Sequence, residues 1–139
     1  MASALIGKRM LVVEDETMVA WLIETMLTDL GCVVVDVAGT LSRGLALAGD
    51  QKLALDGAIL DVNLGGDKVY PIAEALLARH VPFIFSTGYG MDGITPNFAH
   101  VPAIAKPYAR RALEEVLVLA LLPATPGGAS SAAEDGGLR

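Results

Sequence analysis

The 139-residue sequence has a single cysteine, Cys32, so no intrachain disulfide can form and a reducing cytosol is the expected setting. Basic residues are also scarce. Lys and Arg total 10 against 16 Asp and Glu, giving a formal net charge of −6. That balance argues against nucleic-acid binding through a broad basic face, since Arg110-Arg111 is the only basic pair outside the N-terminus. No apolar run approaches the ~18 residues that a membrane span needs. The longest, residues 116–122, is short and follows Glu114-Glu115. The basic pair Lys8-Arg9 comes after the mildly apolar start rather than before it, which argues against a signal peptide. The sequence also lacks a nucleophile elbow, a phosphate-cradling glycine loop and zinc-ligand spacing.

What the chain does have is apolar bulk: 53% hydrophobic residues and only 19% charged ones. Such richness in one domain-sized chain suggests strands buried on both faces, as in a parallel sheet covered by helices. The patterning agrees, alternating short apolar runs with longer amphipathic segments as repeated βα units do. Strands are expected over residues 9–13, 33–37, 58–60, 82–86 and 101–105. Helices are expected over 17–30, 40–49, 69–79 and 109–121. Gly31 supplies a helix stop, Thr40 an N-cap, and Pro71 sits in a first turn where its missing N–H costs little. Residues 89–99 hold Gly90, Gly93 and Pro96, so a helix there should be short or frayed. The expected division is an N-terminal extension over 1–7, one domain over 8–122, and a disordered Gly/Ala/Ser/Pro tail over 123–139.

Polar residues recur where the strands end. Glu14 and Asp15 follow the first strand, Asp61 the third, Thr87 the fourth and Lys106 the fifth. In a parallel sheet all those ends share one edge, the edge at which open α/β sheets bind ligands. One pocket would then contain three carboxylates, a hydroxyl and an ammonium. Like charges ~4 Å apart repel by about 4 kcal/mol at an effective dielectric of about 20, and a hard divalent cation relieves this. Mg²⁺ suits such a site because it takes one or two carboxylates, waters and phosphate oxygens. A metal beside a free carboxylate, with Lys106 and Thr87 to receive oxygens, fits phosphoryl transfer to an oxygen nucleophile.

Four segments carry a family resemblance: Val12-Val13-Glu14-Asp15-Glu16, Leu60-Asp61-Val62-Asn63-Leu64, Ser86-Thr87-Gly88 and Ala105-Lys106-Pro107. In this order and spacing, over about residues 8–121, they resemble the signature segments of two-component response-regulator receiver domains. The resemblance implies a (βα)₅, flavodoxin-like or CheY-like three-layer α/β sandwich with a five-stranded parallel sheet. Asp61 would be the phosphoacceptor. Glu14 and Asp15 would hold Mg²⁺ directly or through water, with Asp61 and the backbone carbonyl of Asn63. Lys106 would pair with phosphoryl oxygens, Thr87 would hydrogen-bond them on activation, and the Lys106–Pro107 peptide would be cis. Phe85-Ser86-Thr87-Gly88-Tyr89 resembles the FAT GUY subgroup, often stand-alone receivers paired with HWE or HisKA2 sensor kinases. Ser86 replaces that motif's Ala, and Gly90 stands where its last Tyr is expected.

Departures from the family pattern bear on mechanism. Glu14 stands where Asp is common, and Gly65 where many receivers carry Pro. Ala103 occupies the usual aromatic switch position, three residues before Lys106. Switching is therefore expected through Thr87, residues 88–93 and the pliable fourth helix. Other residues read more plainly. Glu16 fits the helix dipole, Cys32 a small core site, His80 and His100 structural positions, and Trp21 helix packing or surface. Tyr89 fits either a phosphoryl screen or a surface-packed loop aromatic.

The expected protein is a single-domain, cytoplasmic response regulator that catalyses its own phosphorylation and dephosphorylation without being an enzyme with a small-molecule product. Its expected partners are a sensor histidine kinase or histidine phosphotransfer protein and a downstream protein docking on about 91–121, with homodimerisation on the same face. It would signal by protein–protein interaction or act as a phosphate sink. Nucleic acid and membrane are not expected partners. The alternative is a phosphorylation-independent pseudo-receiver interaction module.

Overall fold

In the computed structural model, which describes residues 4–88 and 94–122, strands and helices alternate as the patterning predicts. The order is β1 (Arg9–Val13), α1 (Thr17–Asp29), β2 (Val33–Ala38), α2 (Leu41–Ala48), β3 (Gly57–Asp61), β4 (Asn63–Leu64), β5 (Asp67–Lys68), α3 (Tyr70–Ala78), β6 (Phe83–Thr87), β7 (Ala103–Ala105) and α4 (Arg110–Leu121). β2, β1, β3, β6 and β7 lie side by side in that order, and every neighbouring pair is parallel. This is the doubly wound order with its crevice at the carboxyl ends of the strands.

Side-chain alternation along each strand divides the interior in two. Leu11 and Val13 of β1, Ala58 and Leu60 of β3, and Phe83 and Phe85 of β6 pack with Ile72, Ala73 and Leu76 of α3. Met10 and Val12, Ile59 and Ile84 take the other face, against Ile23 and Leu27 of α1 and Leu113 and Leu117 of α4. The central strands β3 and β6 are buried along their whole length. That is why they read as continuous apolar runs rather than alternating ones.

Local chemistry sets the element ends. The Thr40 side chain accepts the Arg43 N–H at 3.1 Å and caps α2. Gly31 ends α1 with φ +87, a conformation that favours a residue without Cβ. Gly44 in α2 lets α3 approach, because a Cβ there would collide with Ile72 Cδ1. The Lys106–Pro107 peptide is cis.

The structure differs from the sequence expectation in three places. β7 starts at Ala103 rather than at residue 101, since Pro102 has no N–H to give a ladder and uses its carbonyl to accept the Phe85 N–H at 3.0 Å. The antiparallel pair β4–β5 was not anticipated. Leu5, ahead of the first strand, is fully buried in the α1/α4 core. Of the frayed helix expected over 89–99, the described part is a 3₁₀ turn at Pro96–Phe98; residues 89–93, including Tyr89, and the tail over 123–139 lie outside the described residues. Cys32 is buried and its thiol is pushed up by burial. His80 and His100 are exposed beside Pro82 near the start of β6, and Trp21 is exposed on α1. No helix among the described residues is long and apolar enough to cross a membrane.

Candidate functional site

The carboxyl ends of β1, β3, β6 and β7 bring together the residues that the sequence pattern singled out. Glu14, Asp15 and Asp61 each offer a carboxylate oxygen, and these oxygens lie within 4.8 Å of one another. Asp61 closes β3 and is buried; its Oδ1 accepts the Asn63 N–H at 3.2 Å. Glu14 follows β1, only 2% exposed, and its Oε2 accepts the Glu16 N–H at 3.1 Å. Asp15 is exposed, and its Oδ2 accepts the Gly65 N–H at 3.1 Å from the turn between β4 and β5. That turn needs positive φ at Gly65 (+56) and Gly66 (+98), which explains two glycines in succession.

Lys106 reaches the cluster from the far side of the sheet. Its backbone N–H donates to the Thr87 carbonyl at 2.8 Å, which holds it at the end of β6. Its Nζ lies 2.8 Å from Glu14 Oε1 and 3.3 Å from Asp61 Oδ2. Thr87 closes β6, is buried, and lines an open polar cleft together with Asp15, Asp61, Asn63 and Lys106. The Asn63 side-chain oxygen accepts from Lys68 Nζ at 2.7 Å.

Electrostatics follow from burial. Glu14 is raised from 4.5 to about 7, because burial of its charge outweighs the Lys106 hydrogen bond. Asp61 is raised as well, by burial first, with Lys106 opposing. Burial alone would lower Lys106; the Glu14 hydrogen bond and the charges of Asp61 and Glu14 outweigh it and hold the ammonium above its ordinary value. An all-oxygen donor set with a buried, partly uncompensated negative charge fits a hard divalent cation.

Two further relationships escaped sequence reading. Ser86, fully buried, shares a hydrogen bond with the Tyr108 hydroxyl at 3.2 Å, linking β6 to the segment that carries Lys106. The Ser in place of the motif's Ala was the available signal. Tyr70, at the start of α3, joins Phe83, Phe85 and Phe98 in an aromatic cluster, and the small Ala103 packs against the core on the same face of the sheet.

Neither protein-family models nor curated proteins match the sequence. Solved structures do. The receiver domain of sensor histidine kinase PA1611 from Pseudomonas aeruginosa PAO1, solved with a magnesium ion coordinated in its active-site cleft, is 27% identical with a TM-score of 0.69, over 81% of this chain and 96% of that one. The response regulator PhyR from Brucella abortus is 27% identical with a TM-score of 0.70, over 84% of this chain and 49% of that one. SdrG from Sphingomonas melonis Fr1 is 38% identical with a TM-score of 0.72, over 81% of this chain and 94% of that one. The chain belongs to the response-regulator receiver family. Within this receiver Asp15, Asp61, Thr87 and Lys106 line one cleft, Glu14 lies buried beside them against Lys106, and His80 and His100 take no part in it.

Proposed function

We propose that this receiver accepts a phosphoryl group on Asp61 from a phosphohistidine of a sensor kinase or a histidine phosphotransfer protein. The observation that carries the reading is the buried Asp61 carboxylate, grouped with two other carboxylates and 3.3 Å from the Lys106 ammonium. In the transfer a carboxylate oxygen of Asp61 forms the new P–O bond while the P–N bond to the donor imidazole breaks. The imidazole keeps the bonding pair and takes up a proton. Lys106 would neutralise charge on the phosphoryl oxygens, and the Thr87 hydroxyl would donate to one of them. Glu14, Asp15, Asp61 and the Asn63 carbonyl are the residues that would hold Mg²⁺, directly or through water. When bound, that ion supplies charge neutralisation for incoming phosphoryl oxygens.

Membership of the FAT GUY subgroup is supported by Phe85, Thr87 and Gly88 and by the 38% identity to SdrG. A cytoplasmic setting, an HWE or HisKA2 kinase, a role in phosphorelay signalling or as a phosphate sink, and partner docking or dimerisation on about 91–121 belong to this same reading. With Ala103 in place of an aromatic, the phosphoryl signal would run from Thr87 into the segment that includes Pro96–Phe98.

The deciding experiment is incubation with acetyl phosphate and Mg²⁺ followed by intact-mass measurement. One phosphoryl adduct on the wild type and none on Asp61→Asn is expected. No adduct on the wild type, or one that survives Asp61→Asn, would refute the reading and leave a phosphorylation-independent interaction module.

A further inference from the structure

Phe85 sits two residues before Thr87 on β6, fully buried, and its register partner on β7 is Ala103. Residues paired in register on neighbouring strands project to the same face, so β7 offers only a methyl group opposite Phe85. Rings reach Phe85 from other elements. Tyr70, the first residue of α3, meets it edge-on with centroids 6.0 Å apart, and Phe98 meets it at 5.9 Å. Tyr70 and Phe98 stack on each other in turn, which closes a triangle of three rings.

Backbone contacts tie this triangle to the chain on both sides. The Tyr70 hydroxyl accepts the Thr95 N–H at 2.9 Å, and the Thr95 carbonyl accepts the Phe98 N–H at 3.0 Å. Next to Tyr70, the Val69 N–H donates to the carbonyl of Val62, the residue after Asp61, at 3.0 Å. Tyr70 is thus fastened beside the loop that follows Asp61, against β6 by its ring, and to residues 95–98 by ring and hydroxyl. A close-packed interior moves between discrete arrangements rather than deforming continuously. Movement of Thr87 that carries Phe85 with it must therefore be taken up by Tyr70 and Phe98.

We propose that Tyr70 is the relay between the phosphoryl-accepting cleft and residues 95–98, with its hydrogen bond to Thr95 as a latch whose strength differs between the two end states. The relay rests on reading Asp61 as a phosphoacceptor and Thr87 as the residue that responds to the phosphoryl group. Its path runs through side chains: from Thr87 along β6 to Phe85, across to Tyr70, and on to Thr95 and Phe98.

The test joins two measurements whose signs linkage ties together. Beryllofluoride with Mg²⁺ stands in for a phosphoryl group on Asp61. Amide exchange at Thr95 in the wild type is followed by NMR with and without it, and its affinity for wild type and Tyr70→Phe is measured by calorimetry. Beryllofluoride should change the Thr95 exchange rate, and Tyr70→Phe should change the affinity by about two- to tenfold, the range of one net hydrogen bond. If beryllofluoride speeds exchange, the latch favours the free state and Tyr70→Phe must bind it more tightly; if it slows exchange, the variant must bind it more weakly. Gly31→Ala, a destabilising change beyond the end of α1 that is far from the cleft, should leave the affinity unaltered. An unchanged Thr95 rate, an unchanged affinity in Tyr70→Phe, a mismatch of sign, or an equal change in Gly31→Ala overturns the relay. Where Tyr70→Phe fails to fold, the wild-type exchange measurement decides alone. A wild type that takes a phosphoryl adduct from acetyl phosphate without this coupling overturns only the relay. One that takes no adduct and binds no beryllofluoride refutes the phosphoacceptor reading and the relay with it.

Discussion

The Tyr70 hydroxyl accepts the Thr95 backbone N–H at 2.9 Å while the Tyr70 ring lies on Phe98, centroids 5.4 Å apart and planes 5° from parallel. One side chain of α3 thus fastens the segment that leads into the Pro96–Phe98 turn. The same ring meets Phe85, two residues before Thr87 on β6, edge-on at 6.0 Å. Tyr70→Phe keeps the ring and removes the acceptor, so it should cost about 1 kcal/mol and speed amide exchange at Thr95. Tyr70→Leu also loses the stack and should cost about 2–3 kcal/mol, read from urea denaturation midpoints.

Glu14 should give stability a pH dependence of definite sign. Burial raises its carboxyl from 4.5 to about 7, so the folded chain holds that proton more tightly than the unfolded one. The associated stabilisation is complete below pH 4.5 and is lost as the pH rises through about 7. With EDTA present, the wild type should lose roughly 3 kcal/mol relative to Glu14→Gln across that window. Urea unfolding of both proteins at about pH 5 and about pH 8 checks the sign and the size. Asp61, raised in the same direction, should add to the trend.

The Ser86–Tyr108 hydroxyl pair should behave as a unit. Ser86→Ala leaves the Tyr108 hydroxyl without that partner, and Tyr108→Phe does the same to a fully buried Ser86. Each single change should cost about 1–2 kcal/mol, and the double variant clearly less than their sum. Thermal denaturation of the four proteins provides the cycle.

Gly31→Ala should be among the costlier glycine replacements. At φ +87 an added Cβ is strained, and it would meet Ile6 Cγ1 at 2.7 Å. A loss of about 1–3 kcal/mol in chemical denaturation is expected, with no change in the Asp61 site.

The active edge was legible because Glu14, Asp15, Asp61, Thr87 and Lys106 each follow or close an apolar strand, and parallel pairing sends those ends to one side. Helix ends were legible where a single residue decides them, as with Thr40 and Gly31. β4 and β5 left no trace, since two-residue strands with Asp67 and Lys68 exposed carry no alternation. Nor could periodicity show that Lys106 would choose Glu14, 92 residues away, or that Tyr70 would reach Thr95, 25 residues on. Such pairings are set by which helices cover which face. Ala103 showed what the fifth strand lacks, but not that Tyr70, Phe85 and Phe98 would gather their rings on the same face of the sheet.

The cluster draws its acids from the first and third strands and its cation from beyond the last. Without residue 106 the ends of β1 and β3 would carry a patch of like charge. Lys106 offsets part of that repulsion and ties the ends of β1 and β3 to the segment after β7. The same residues that would receive a phosphoryl group thus join the first strand of the fold to the segment after its last strand.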